Sequence, residues 1–122
     1  MTDLRATELQ YEQTIIDAAK ATGWKVHGER AAFSRGKMST PIKGHPGWPD
    51  LVLVHPTRHQ LLIAELKRKP NKPTKDQLDW LNAWADFFVA VDVDIDRARV
   101  AVFFVPEDMD LLLELVTDAD IW

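Results

Sequence analysis

The chain has 122 residues, 46% of them apolar, enough for one domain with a real core and too apolar for a disordered segment. The absence of cysteine excludes a disulfide framework, a zinc ribbon and thiol catalysis, and a net charge of -4 excludes a uniformly basic surface. No apolar run approaches the roughly 20 residues that span a bilayer, and the polar, mixed-charge stretch from Met1 to Glu12 does not read as a signal peptide. The first helix is expected to open near Thr7, which forms a T-x-x-Q capping box with Gln10. Leu9, Ile16 and Ala19 share a face of it, and Gly23 is a natural stop. Trp24 to His27 and part of Glu29 to Ser34 read as a short strand or hairpin. Ser34 to Pro49, rich in Gly, Pro, Ser and Lys, reads as a mobile basic loop. Leu51 to Val54 is an apolar run typical of a buried strand, His55 to Gln60 is a turn, and Leu61 to Lys67 is the returning strand. Arg68 to Pro73 is a basic loop. Thr74 then opens a second helix, closed by a capping box with Gln77. That helix carries Leu78, Leu81, Ala85 and Phe88 on one side, with Trp80, Trp84 and Phe87 nearby, so it is expected to be well buried. After the acidic stretch Asp92 to Arg97, Arg99 to Val105 reads as a strand, and Glu107 to Val116 as a last helix behind Pro106. The order is α-β-β-β-α-β-α: one domain over residues 1–122, of mixed α/β class, with a small mixed sheet flanked by helices.

Charge is segregated along the chain. Lys25 to Lys75 holds eleven Lys or Arg against three acids, a local balance of +8, while the remainder holds four basic and sixteen acidic residues, a balance of -12. A positive middle between negative ends suggests one face that meets a polyanion. The plain alternative is uneven solvated charge.

The two central strands pair about a turn centred between Thr57 and Arg58 if opposing residue numbers sum to 115. Val54 then faces Leu61, Val52 faces Ile63, and Asp50 faces Glu65. Directly opposed side chains lie about 4.5–5.5 Å apart at Cβ, where two carboxylates repel. A divalent cation, which needs several oxygen ligands, reverses the sign of that interaction. Lys67 lies two residues beyond Glu65 and points to the same side of the sheet. Glu65 interrupts an otherwise apolar run, and a buried carboxylate needs a partner. A slip of one residue would separate the acids, leaving a charged strand end and a surface pair.

The other candidates are weaker. Glu12 lies on the inward side of the first helix, as either a third metal ligand or a solvated flank. Gln77 either closes its capping box or reaches the site. His27, His45, His55 and His59 have no ligand spacing, and His55 and His59 are expected in solvent, flanking the turn. No Walker-type phosphate loop is present, which argues against nucleoside triphosphate hydrolysis. Most of the five tryptophans read as core, but Trp48, in the loop entering the site, is placed to stack on a base.

Three stretches carry a resemblance: Gly47-Trp48-Pro49-Asp50-Leu51-Val52-Leu53-Val54, then Leu62-Ile63-Ala64-Glu65-Leu66-Lys67, then Lys72-Pro73-Thr74-Lys75-Asp76-Gln77-Leu78-Asp79-Trp80-Leu81. With Glu12 ahead of them and Val105 to Asp110 behind, they resemble the PD-(D/E)XK nuclease superfamily, and within it the virus-type replication-repair nuclease (VRR-NUC) family. The resemblance covers nearly the whole chain. It implies a restriction-endonuclease-like core and a divalent-metal phosphodiesterase acting on DNA, sometimes on branched or junction DNA. It also implies that Asp50, Glu65 and the Leu66 carbonyl bind metal with Glu12 completing the set, that Lys67 assists at the reacting phosphate, and that Gln77 supports the site. Stand-alone phage and bacterial members resemble Holliday-junction resolvases and tend to be homodimers. The departure is Ala83 to Arg99, a long acidic segment where a short turn with glycine is expected.

The leading expectation is thus a Mg²⁺- or Mn²⁺-dependent DNA endonuclease, a homodimer in the cytoplasm, with no membrane contact. Arg30, Arg35, Lys37, Lys43, Arg68, Lys69 and Lys72 are the candidates for holding the DNA backbone. Two other classes compete. A non-catalytic DNA-binding or assembly module that retains the nuclease fold would bind DNA with a steep salt dependence and no cutting. A protein-interaction domain would have no DNA affinity.

Overall fold

A computed structural model describes residues 4–28, 32–34, 37–39 and 43–122. The described elements run α1 (Leu4–Ala21), β1 (Lys25–Gly28), β2 (Ala32–Ser34), β3 (Lys37–Ser39), β4 (Leu51–His55), β5 (Gln60–Lys67), α2 (Lys75–Ala90), β6 (Ala98–Phe104), α3 (Met109–Thr117) and a single 3-10 turn, Ala119–Ile121. The fold is mixed α/β: a four-stranded sheet, ordered β1-β4-β5-β6, flanked by three helices. β1 and β5 lie antiparallel to β4, and β6 lies parallel to β5. Parallel neighbours need a long crossover, and α2 supplies it. Among the described residues no helix is long and apolar enough to cross a membrane.

The hairpin register is the expected one. Leu51 pairs with Ala64, Val52 with Ile63 and Val54 with Leu61, each pair summing to 115. Strand alternation then sorts the side chains. Leu51, Leu53, Leu62, Ala64, Leu66, Phe103 and Val105 point to one face, where Ile15 and Ala19 of α1 and Leu112, Leu115 and Val116 of α3 complete the main core. Each fully buried aliphatic side chain there contributes about 1.5–3 kcal/mol. The opposite face carries Val52, Ile63 and Glu65 and is covered by α2, through Leu81 and Phe88.

Several boundaries differ from expectation. α1 opens at Leu4, so Thr7 lies inside the helix and not at its start. Leu, Arg and Ala, all good helix formers, carry the helix back past it. The buried face of α1 centres on Ile15 and Ala19, with Leu9 and Ile16 half-buried beside them. The stretch expected to be all loop contains β3, which pairs antiparallel with β2 in a separate two-stranded ladder. α3 opens at Met109, two residues late, because the Asp108 carboxylate turns back to accept the Phe104 N–H at 2.7 Å and does not cap the helix. α2 is less buried than its composition suggests: Phe87 is 57% and Val89 81% exposed. A lone helix can press one stripe on a sheet, so an all-round apolar helix leaves the rest in solvent.

His55 is a clear correction. It is buried, and its Nε2 lies 2.7 Å from the Thr22 carbonyl while its Nδ1 accepts the Arg58 N–H at 3.1 Å. This geometry assigns the ring proton to Nε2. Arg58 beside it donates to the Leu115 and Val116 carbonyls at 3.1 and 3.0 Å, satisfying the C-terminal end of α3, and lies over the Trp24 ring at 4.9 Å. Trp24 and Trp122 donate to the same two carbonyls. This end of the sheet is a structural clasp, opposite the end that carries Asp50.

Candidate functional site

Asp50 directly precedes β4, and the register that joins Leu51 to Ala64 sets it against Glu65. Its Oδ2 accepts the Leu66 N–H at 2.8 Å, which fixes the carboxylate across the hairpin. In a strand the N–H and C=O of one residue point to the same edge. The Leu66 carbonyl therefore opens toward Asp50, past the last ladder pair of β4, while the Lys67 carbonyl is taken by the Val105 N–H on the other side.

Glu65 is fully buried, and neither carboxylate oxygen has a partner at hydrogen-bonding geometry. Burial pushes its carboxyl up to about 9, and the Asp50 carboxyl close by pushes the same way, while the Lys67 ammonium opposes both in part. A buried acceptor left bare costs about 1–3 kcal/mol, more if charged. Lys67, half-buried, ends β5 on the same face. Asp50, Glu65 and Lys67 are thus gathered at one corner, as the spacing indicated.

Glu12 approaches from the helix side. Its Oε1 lies 3.4 Å, and the Asp50 carbonyl oxygen 3.7 Å, from the point where a Cβ on Gly28 would stand. The bare glycine thus leaves the room in which α1 meets the start of β4, a role with no signal in the sequence beyond the glycine itself. Among the described residues, however, no three His, Asp or Glu side chains converge closely enough to hold a metal by themselves. Glu12 stands near the Asp50 backbone and closes no three-acid cluster among the described residues.

Gln77 is engaged in the capping box: its Oε1 accepts the Thr74 N–H at 2.9 Å, and its own N–H donates to Thr74 Oγ1 at 3.2 Å. Trp48 is half-buried, with Trp80 edge-on to it at 4.9 Å and Trp84 at 6.1 Å, so two indoles crowd its ring. Of the basic residues, Lys43, Lys69 and Lys72 are exposed in loops at the Asp50 end of the sheet. The Lys69 ammonium lies 5.6 Å from the Phe104 ring centre. Arg68 is half-buried, with a buried Nη1 that has no partner. Lys37 lies on β3, and Arg30 and Arg35 fall outside the described residues.

Hard oxygen donors suit Mg²⁺ or Mn²⁺. The Glu65 oxygens, the Asp50 carboxylate and the Leu66 carbonyl are donors of that chemistry. Comparison with family models, with curated proteins and with solved structures gave no match to this chain.

Proposed function

We propose that this chain is a divalent-metal-dependent deoxyribonuclease of the PD-(D/E)XK type, as its resemblance to the VRR-NUC family implies. The observation that carries the reading is the buried Glu65 carboxyl, which has no partner but the Asp50 backbone and carboxyl beside it, set across the hairpin from Asp50 with Lys67 on the same face. A fold retains so costly a group where a bound ligand compensates it. Asp50, Glu65 and the Leu66 carbonyl would hold Mg²⁺ or Mn²⁺, with Glu12 at its edge. The bound ion supplies Lewis acidity and a water of lowered pKa. Lys67 offsets the charge that develops on the phosphoryl oxygens. Lys43, Arg68, Lys69 and Lys72 bind the backbone without reading sequence.

A junction-resolving activity needs two cuts, for which a two-fold dimer is the simplest arrangement. The exposed Phe87, Val89 and Ile95 beside β6 give two copies an apolar surface on which to meet. The test is cleavage of four-way junction, flap, linear duplex and single-stranded DNA with Mg²⁺ or Mn²⁺, beside a measurement of solution mass. Asp50→Ala is expected to lower the rate at least about a hundredfold, the order seen when one group that stabilises a transition state is removed. Full activity in that variant would sink the assignment. Salt-sensitive binding with no metal-dependent cutting would point instead to a DNA-binding module.

A further inference from the structure

A small recess lies beside the loop that leads into Asp50. It has a volume of about 250 Å³ and is lined by His45, Pro46, Asp76, Asp79, Trp80 and Ala83. The Trp80 ring is fixed within it: Nε1 donates to the His45 carbonyl at 3.3 Å, and Trp48 braces the ring edge-on. Gly47 locks the loop to the helix, because a side chain there would collide with the backbone of Asp76 and Gln77. The indole is therefore positioned before any ligand arrives.

Its chemistry is selective. An indole, a proline and an imidazole form the sides, and two carboxylates stand among them. A phosphate would be repelled by Asp76, while Asp79 already pairs with Lys75 at 3.1 Å through one oxygen and keeps the other as an acceptor. A flat neutral heterocycle bearing N–H donors would be held, stacked on Trp80 and donating to a carboxylate. The recess is smaller than a typical drug-sized pocket, which suits a single ring system. Pro46 is four residues from Asp50, at most about 14 Å of extended chain, so the recess lies within a few nucleotides of the acid pair.

We propose that this recess binds one unpaired or extruded nucleobase of the strand whose phosphate sits at Asp50 and Glu65, and that it favours bases with an exocyclic amino group. The proposal rests on the nuclease reading and adds a base-specific contact to it. Trp80 thus takes the stacking role that the sequence suggested for Trp48. Stacking alone is indifferent to base identity. The carboxylates accept from the cytosine amino group, whereas thymine carries a carbonyl at that position and keeps only its N3–H as a donor.

The test is binding in EDTA at low salt, by fluorescence anisotropy, of labelled oligodeoxycytidylate, oligodeoxythymidylate and a fully abasic strand of equal length. The wild-type chain should bind the cytosine strand about 5- to 150-fold more tightly than the abasic one, the range for one stacked base. Trp80→Ala should erase that gap and Trp80→Phe should keep it. The Asp76→Asn, Asp79→Asn pair should reduce the preference for cytosine over thymine. Equal wild-type affinity for cytosine and abasic strands overturns the proposal, as does a gap that survives Trp80→Ala. If Trp80→Ala does not fold, an unchanged cytosine preference in the Asp76→Asn, Asp79→Asn variant overturns it. Failure to bind any strand removes the nuclease reading as well, whereas metal-dependent cleavage without base preference removes this inference alone.

Discussion

Glu65 stands in β5 where an apolar residue would cost least, between Ala64 and Leu66 and fully buried. Its carboxyl is raised from 4.5 to about 9, by burial first and then by Asp50. A group whose pKa is raised on folding keeps its proton in the folded chain while the unfolded chain loses it. The stabilisation from neutral Glu65 is therefore complete below pH 4.5 and is lost progressively until the pH passes about 9. Without divalent ions, wild-type stability should fall across that window with a slope contribution of about 1.4 kcal/mol per pH unit. Glu65→Gln, neutral throughout, should lack that slope, and Mg²⁺ should flatten it in the wild type but leave the variant unchanged. Urea unfolding at several pH values with and without Mg²⁺ checks this. An identical slope in both chains would mean that Glu65 is not held neutral. The acid pair was legible in the sequence because two apolar runs and one turn leave a single register that buries both. His55 was not, since a polar residue beside Pro56 reads as a turn. The alternation Leu51, Leu53, His55 was the available signal.

At the scale of elements, the same four-residue motif succeeded once and failed once. Thr74 and Gln77 form the capping box, with Pro73 just before them and an extended Thr74. Thr7 and Gln10 match the pattern, but helix-forming residues run through it. The motif marks a helix start only where the preceding chain cannot itself be helical. The capped α2 also anchors the loop that carries Asp50. Gly47 adopts φ +94 and would drive a Cβ into the backbone of Asp76 and Gln77, whereas Gly44 shares the same φ with open space around it. Gly44→Ala should therefore cost only the backbone strain of a left-handed residue, about 1–3 kcal/mol. Gly47→Ala should cost more and should also displace Asp50; under the proposed nuclease function that lowers metal-dependent cleavage by at least about tenfold per folded molecule, since small misplacements of a catalytic group are expensive. Unfolding curves beside single-turnover rates separate the two effects. Equal losses in both variants would show that the loop does not depend on contact with α2. The misjudged burial of α2 has a similar origin: composition counts apolar residues, but one sheet face presents a single stripe to be covered.

Across the whole molecule, the described cations of the positive middle are spread over more than one place. Lys25 pairs opposite Val54, at the far end of β4 from Asp50. Arg58 is spent on the α3 carbonyls and the Trp24 and Trp122 rings, where burial holds its pKa below the usual value. Lys75 is paired with Asp79 at 3.1 Å. Lys43, Lys69 and Lys72 remain exposed, and Arg68 half-buried, in the loops that lead into Asp50 and out of β5. Sequence order could show the segregation of charge but not which cations the fold uses for its own structure. The consequence is measurable. Removing one cation that neutralises a duplex phosphate should reduce the slope of log affinity against log salt by about 0.9. Lys72→Ala should therefore flatten the dependence by about that amount and weaken binding similarly for every sequence. Lys25→Ala, an exposed cation at the other end of the sheet, should leave the slope unchanged. Titrations of a labelled duplex over a range of salt concentrations in EDTA distinguish the two. Equal changes in both variants would mean that the duplex does not lie along the Asp50 end of the sheet.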